Sequence, residues 1–241
     1  MRRVGPATDV DGPLSLMLCI VQSRMSSRRL PGKPLLNLQG RVVLGRVVDR
    51  LKRANRLSRI IVATSDQIED QPIVEFCEAE DIQCVRGPLD DVAHRLRRVV
   101  ERERADAFVR ISGDSPLIDP VLVDQAVTYF QQGECDLATN VLLRTFPKGQ
   151  SVEVLLSKTF VRVCDAMTTA GQREHVTWIY YEQPEAYRIA SFTSGMPFGQ
   201  MNLTVDTPED VAVIETILER SGNQPGGWRD VAALYESVVT A

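Results

Sequence analysis

Leu16-Met-Leu-Cys-Ile-Val-Gln-Ser-Arg-Met-Ser-Ser-Arg-Arg-Leu-Pro-Gly-Lys33 joins two unlike halves. Residues 16–21 form an uninterrupted apolar run of strand length. That is the pattern of a strand covered on both faces, as in parallel sheets. Residues 22–33 then bring three arginines, three serines and a lysine, and close on Pro31-Gly32. Further apolar runs follow at Arg59-Ile-Ile-Val-Ala-Thr64, Ile82-Gln-Cys-Val85 and Ala107-Phe-Val-Arg-Ile-Ser112. Helical spacing lies between them, at Val43 to Leu51, Ile73 to Ala79 and Val92 to Val99. Strand–helix alternation predicts an α/β fold with a largely parallel sheet.

Beyond residue 135 the rhythm changes. Short strands are expected at 136–140, 151–155, 187–192 and 201–205, with helices over 157–169, 173–182, 208–220 and 227–238. This is a mixed second half packed on the same sheet. Residues 15–241 read as one domain. Residues 1–14 read as a disordered extension or alternative start, with no apolar core of a signal peptide. No stretch approaches ~18 uninterrupted apolar residues, so no membrane span is expected.

The net charge of −4 hides an asymmetry. Residues 1–60 hold 13 Lys/Arg against 3 Asp/Glu, and the remainder holds 15 against 29. The basic first quarter fits either a local anion site or a solvated basic helix face carrying Arg41, Arg46, Arg50, Lys52, Arg53, Arg56 and Arg59. An acidic chain without a basic–aromatic stripe argues against a nucleic-acid partner. The five cysteines include no CxxC pair and are odd in number. Reduced, mostly buried thiols and a cytoplasmic location are expected.

Ligands of open α/β sheets bind outside the carboxyl ends of the strands. The residues after each run are therefore informative: the 22–33 loop, Thr64-Ser65-Asp66, Arg86-Gly87, Gly113-Asp114-Ser115-Pro116, and Asp206 before Thr207-Pro-Glu-Asp210. Basic side chains, hydroxyls and loop amides suit a polyphosphate. Neither GxxxxGK[ST] nor GxGxxG is present. Asp114 could be a plain turn residue, but its preceding glycine would permit close approach to a ligand. Thr207-Pro208 is a helix start, which leaves Asp206 unexplained. Two carboxylates beside a polyphosphate loop fit a Mg²⁺ site. His94 reads as a solvated helix residue. His175, in Gln172-Arg-Glu-His-Val-Thr177, suits a structural or a substrate-site role equally.

These motifs resemble the sugar-activating cytidylyltransferases, which include CMP-KDO and CMP-acylneuraminate synthetases. Arg24-Met-Ser-Ser-Arg-Arg-Leu-Pro-Gly-Lys33 is similar to their RxxSxRLPGK loop. Gly113 to Pro120, Arg173-Glu-His-Val-Thr177 and Leu203 to Asp210 look most like the spore-coat polysaccharide branch. The resemblance implies a Rossmann-like, glycosyltransferase-A-type nucleotidyltransferase fold, CTP as donor, Mg²⁺ and a homodimer. It further implies that Arg24, Ser27, Arg29 and Lys33 hold the triphosphate, with Ser65, Arg86 and Gly87 near the nucleotide. Asp114 and Asp206 would hold the metal, and Arg144, Glu153, Arg173 and His175 would face the acceptor. Pro88 and Leu89 replace Ser and Glu of the family's RGSEDDV segment. Lys148 and Ser151 replace two aspartates of its RTYPDGLDVEV segment, and Trp178 replaces a proline. The implied reaction moves CMP from CTP to a sugar acid or another anionic acceptor and releases pyrophosphate. A glycosyltransferase of the same fold and a catalytically silent nucleotide-binding protein are the alternatives.

Overall fold

The computed structural model describes residues 17–240. Leu16, the expected extension and Ala241 lie outside the described residues. The chain runs β1 (Met17–Gln22), β2 (Asn37–Leu38), β3 (Arg41–Val42), α1 (Val43–Leu51), β4 (Arg59–Ser65), α2 (Gln71–Ala79), β5 (Gln83–Gly87), α3 (Val92–Glu103) and β6 (Ala107–Ser112). It continues through α4 (Pro120–Gln132), β7 (Leu137–Thr139), β8 (Glu153–Leu156), α5 (Ser157–Ala166), α6 (Ala170–Glu174), α7 (Trp178–Glu182), β9 (Ile189–Ser191), α8 (Pro208–Arg220) and α9 (Trp228–Val239).

Seven strands form one mixed sheet in the order β5-β4-β1-β6-β8-β7-β9, and β2 and β3 pair apart from it. The first four are parallel; β8 lies antiparallel to β6 and β7. Alternation along β1 divides the core. Cys19 and Val21 face α1, α2 and α4, while Leu18 and Ile20 face α3, α5 and Tyr180. This two-sided burial is why the run reads as continuously apolar. A third apolar layer joins Leu38, Leu117, Leu203 and Val205 to α8 and α9. After β1 the chain builds outward through β4 and β5, then returns to place β6 on the other side of β1. The crevice between the carboxyl ends of β1 and β6 is therefore the topological switch point.

Several elements differ from the sequence reading. The helix expected over 173–182 is two short helices. Thr169 and Gln172 make a capping box that starts α6 early, and His175 leaves the helical region at φ −103°, ψ 70°. Residues 201–205 are not a strand; only a bridge from Asn202 to Lys148 forms. Their polar side chains bond locally: Thr204 Oγ1 donates to Asn202 Oδ1 at 2.7 Å, and Asn202 Nδ2 to Asp210 Oδ1 at 2.7 Å. Arg46 and Arg50 are not solvated but buried, donating to the carbonyls of Leu38, Gln39, Ile118, Pro225 and Gly226. All five cysteines are free, four of them buried. Among the described residues no helix is long and apolar enough to cross a membrane.

Candidate active site

The loop after β1 is fixed at both ends. Met25 N donates to Asp70 Oδ1 at 2.6 Å, and this buried carboxylate also accepts from Thr64 Oγ1 and Ser65 N. The loop then folds over Met25, whose carbonyl accepts from Ser27 N at 2.9 Å and Gly32 N at 3.0 Å. Gly32 has φ +76°, a conformation that side chains disfavour, so the Pro-Gly turn is needed to send Lys33 back toward the sheet.

Lys33 reaches the switch point. Its Nζ donates to Asp114 Oδ2 at 2.7 Å and to Asp206 Oδ1 at 2.8 Å. Arg29 Nη2 lies 3.0 Å from Asp206 Oδ2, and the Thr204 hydroxyl oxygen lies 3.2 Å from the same oxygen. Burial works to lower the lysine's pKa, but Asp114 and Asp206 outweigh it and hold it above the usual value. Burial likewise works to raise the Asp206 pKa, but Lys33 and Arg29 hold that carboxyl below its ordinary range. Both groups are therefore charged at neutral pH.

The backbone sets the spacing of the two acids. Val205 N donates to the Asp114 carbonyl at 2.9 Å, joining the segments that carry them. Gly113 N donates to the Gln22 carbonyl at 2.8 Å, and a Cβ at Gly113 would lie 2.9 Å from the Ser23 side chain. The glycine therefore serves the meeting of β1 and β6, a packing reason the sequence does not display. Thr207 and Asp210 form the capping box of α8, and Asp206 N donates to Asp210 Oδ2 at 3.1 Å.

The donor set fits a small hard cation. Two carboxylate oxygens share one ammonium, so both can reach one ion. Among the described residues no group of three His, Cys, Asp or Glu could hold a metal. Remaining ligands would come from phosphate and water, as Mg²⁺ prefers.

The other expected residues surround this centre at different depths. Arg24 Nη2 donates to Glu174 Oε1 of α6 at 3.0 Å, and Ser27 Oγ accepts from Leu30 N. Ser65 is buried, with its hydroxyl accepting from Gln67 N at 3.3 Å. Arg86 donates to the Ser65 and Gln67 carbonyls and to Gln71 Oε1, and the Gly87 carbonyl accepts from Asp66 N. Arg173 donates to Asp91 Oδ2 at 2.8 Å and to the Met167 carbonyl at 2.9 Å. His175 is exposed, edge-on to Trp178. Glu153 is buried: it accepts from Arg110 Nη1, and from the Tyr181 hydroxyl at 2.5 Å. Arg144 is exposed on the 141–151 loop and donates to Ser151 Oγ at 3.3 Å. That loop is laced to the segment before Asp206, since Lys148 N donates to the Met201 carbonyl and Leu203 N to the Lys148 carbonyl. No motif or spacing in the sequence marks Asp70, Arg110, Thr204 or Tyr181. Asp70 stands just before Gln71-Pro72 and reads as an ordinary helix start.

A sequence model described as Cytidylyltransferase matches residues 18–223. The chain is 29% identical to the spore coat polysaccharide biosynthesis protein SpsF of Bacillus subtilis, covering 87% of this chain and 89% of that one. It is 32% identical to the 3-deoxy-manno-octulosonate cytidylyltransferase of Acinetobacter baumannii over 58% of this chain and 57% of that one. The solved structure of a cytidylyltransferase from Leptospira borgpetersenii superposes with a TM-score of 0.87 at 25% identity, covering 94% and 96% of the two chains. A seven-stranded mixed sheet, a basic loop closing on Lys33 at its switch point and a family match over most of the length agree: the chain belongs to the cytidylyltransferase family.

Proposed function

We propose that the protein is a Mg²⁺-dependent cytidylyltransferase that moves CMP from CTP to an anionic acceptor, a sugar acid or a phosphate- or phosphonate-bearing molecule, in surface-polysaccharide or related biosynthesis. The observation that carries this reading is the contact of Lys33 with Asp114 and Asp206 at the end of a basic, glycine-turned loop. The same reading makes the protein cytoplasmic and a homodimer with one catalytic domain per chain.

In this mechanism an acceptor oxygen attacks the α-phosphorus of CTP in line, the bond to the bridging oxygen breaks, and pyrophosphate leaves. Positioning and charge stabilisation supply most of the rate, as in phosphoryl transfer generally. Asp114 and Asp206 would hold a bound Mg²⁺, which would supply counter-charge for the α-phosphate. Arg24, Ser27, Arg29 and Lys33 hold the triphosphate, and Arg29 and Lys33 follow the charge onto the departing pyrophosphate. Ser65, Arg86 and Gly87 border the nucleoside. Arg144, Arg173 and His175 border the acceptor, with Glu153 behind them. The exposed ammonium of Lys148, on the same loop as Arg144, supports an anionic acceptor.

Pyrophosphate release is the test: four NTPs against sugar acids, sugar phosphates and phosphonates. Release with CTP and one acceptor class is expected. Glycosyl transfer from an added nucleotide sugar, without pyrophosphate release from any NTP, would establish the glycosyltransferase instead, and nucleotide binding with no turnover on any acceptor would establish a silent binder.

A further inference from the structure

Arg95 is a side chain that neither the motifs nor the reaction uses. It lies on α3, 2% exposed, and is among the largest fully buried residues. No carboxylate pairs with it among the described residues. Its Nη1 donates to the Pro88 carbonyl at 3.0 Å and reaches the Leu89 carbonyl at 3.4 Å, while Nε has no partner. A buried guanidinium without a carboxylate is costly, and an apolar residue of like volume would serve packing alone better. Burial, with the like charge of Arg24, pushes its pKa down.

The surroundings of Arg95 form one short, well-held segment. Pro88 and Leu89 follow directly on Gly87, at the carboxyl end of β5. A Cβ at Gly87 would lie 3.0 Å from Arg95 Cγ and 3.3 Å from its Cα, so the glycine admits the arginine stem beneath the loop. Asp91, at the far end of the loop, accepts from His94 N and from Arg173. The segment 86–91 is thus clamped at its start by Arg86, in its middle by Arg95 and at its end by Asp91.

We infer that Arg95 is a positioning residue for the nucleotide: by holding the Pro88 and Leu89 carbonyls inward it fixes the 86–91 loop against the base of CTP, with Gly87 as the space that allows it. This rests on the proposed cytidylyltransferase reading. It also explains how Pro88 and Leu89 can replace the usual Ser and Glu, because the clamp uses only their backbone.

The test measures the affinity of the full chain for CTP, UTP and inorganic triphosphate by calorimetry, with thermal unfolding recorded alongside. Arg95→Met is expected to weaken CTP ~10- to 100-fold, as for lost hydrogen bonds to a charged donor. Triphosphate binding is expected to change less than about twofold, and the preference for CTP over UTP to fall in step with the CTP loss. Arg95→Lys should recover part of the loss, and Gly87→Ala should show a smaller loss of the same kind. Arg46→Met removes a similar carbonyl clamp on β2 and should lower stability without moving CTP affinity. Unchanged CTP affinity in folded Arg95→Met, or equal losses for CTP and triphosphate, overturns the inference. If Arg95→Met does not fold, Arg95→Lys and Gly87→Ala decide by the same criterion. A wild type that binds no CTP refutes the cytidylyltransferase reading and this one together; equal CTP affinity in wild type and variants refutes this one alone.

Discussion

Gly113→Ala perturbs the switch point with three atoms of cargo, a carbon and two hydrogens. The added Cβ would lie 2.9 Å from both Cβ and Oγ of Ser23 and 3.0 Å from the Gln22 carbonyl oxygen. Carbon atoms ordinarily meet at about 3.5–4.0 Å, so the overlap with Ser23 Cβ is roughly half an ångström or more, and the two oxygens are crowded as well. Gln22 cannot retreat, because it is held in register between Ala63 of β4 and Ser112 of β6. Overpacking of this kind costs about 1–3 kcal/mol, and ~2 kcal/mol lowers the melting temperature of a chain this size by roughly 4–8 °C. Relief must come from the next residue, Asp114, and a displacement of ~1 Å there would cut turnover ~100-fold. Ser23→Gly removes two of the three contacts, so the double variant should recover about half of both losses. The assays are thermal unfolding by circular dichroism and pyrophosphate release on all four members of the cycle. A Gly113→Ala variant that melts with the wild type and turns over normally, or a strictly additive cycle, would refute the steric reasoning.

Three further expectations concern charge. Lys33→Ala should cut pyrophosphate release by about 100- to 1000-fold while the circular dichroism spectrum survives; an unchanged rate would remove Lys33 from the mechanism. Chelation with EDTA should abolish pyrophosphate release and added Mg²⁺ restore it, whereas full activity in EDTA would exclude the proposed metal. Asp136 accepts from Thr159 Oγ1 at 2.7 Å and the Arg188 amide at 3.0 Å, and these donors, with the Arg188 guanidinium, overcome burial to hold its pKa below the ordinary value. A depressed carboxyl contributes stability above its unfolded pKa of about 3.9 and loses it as pH falls through the folded value. Asp136→Asn should therefore cost about 1–2 kcal/mol at neutral pH, a gap that narrows below about pH 4; urea midpoints at pH 7, 5 and 3 read it, and a constant gap would contradict the argument.

The parallel half of the sheet was legible because each strand is covered on both faces and each helix shows one apolar side. The second half was less so. Asp119 caps α4 with Pro120 at its first turn, a start signal with no expected helix attached to it, and the β2–β3 pair is too short to carry a pattern. Residues 201–205 alternate like a strand, but their polar side chains bond to one another and to α8 instead of leaving the backbone to a ladder. Asp114, Asp206 and Lys33 were each named from the residue types that follow strands. Their contact was not readable, because Lys33 lies 81 and 173 residues from its two partners and only the sheet order brings them together. Arg46 and Arg50 show the opposite failure: charge suggested solvent, and loop carbonyls supplied a buried destination.

The lysine between the two aspartates also bears on how the protein is made. Where a metal supplies the folding energy, a chain stays unfolded until the ion arrives and is lost when the ion is withdrawn. Here the counter-charge for both carboxylates is part of the polypeptide, at 2.7 and 2.8 Å. On the proposed Mg²⁺-dependent mechanism, scarcity of divalent cation would therefore silence the chemistry while leaving the newly synthesised protein intact and ready to resume.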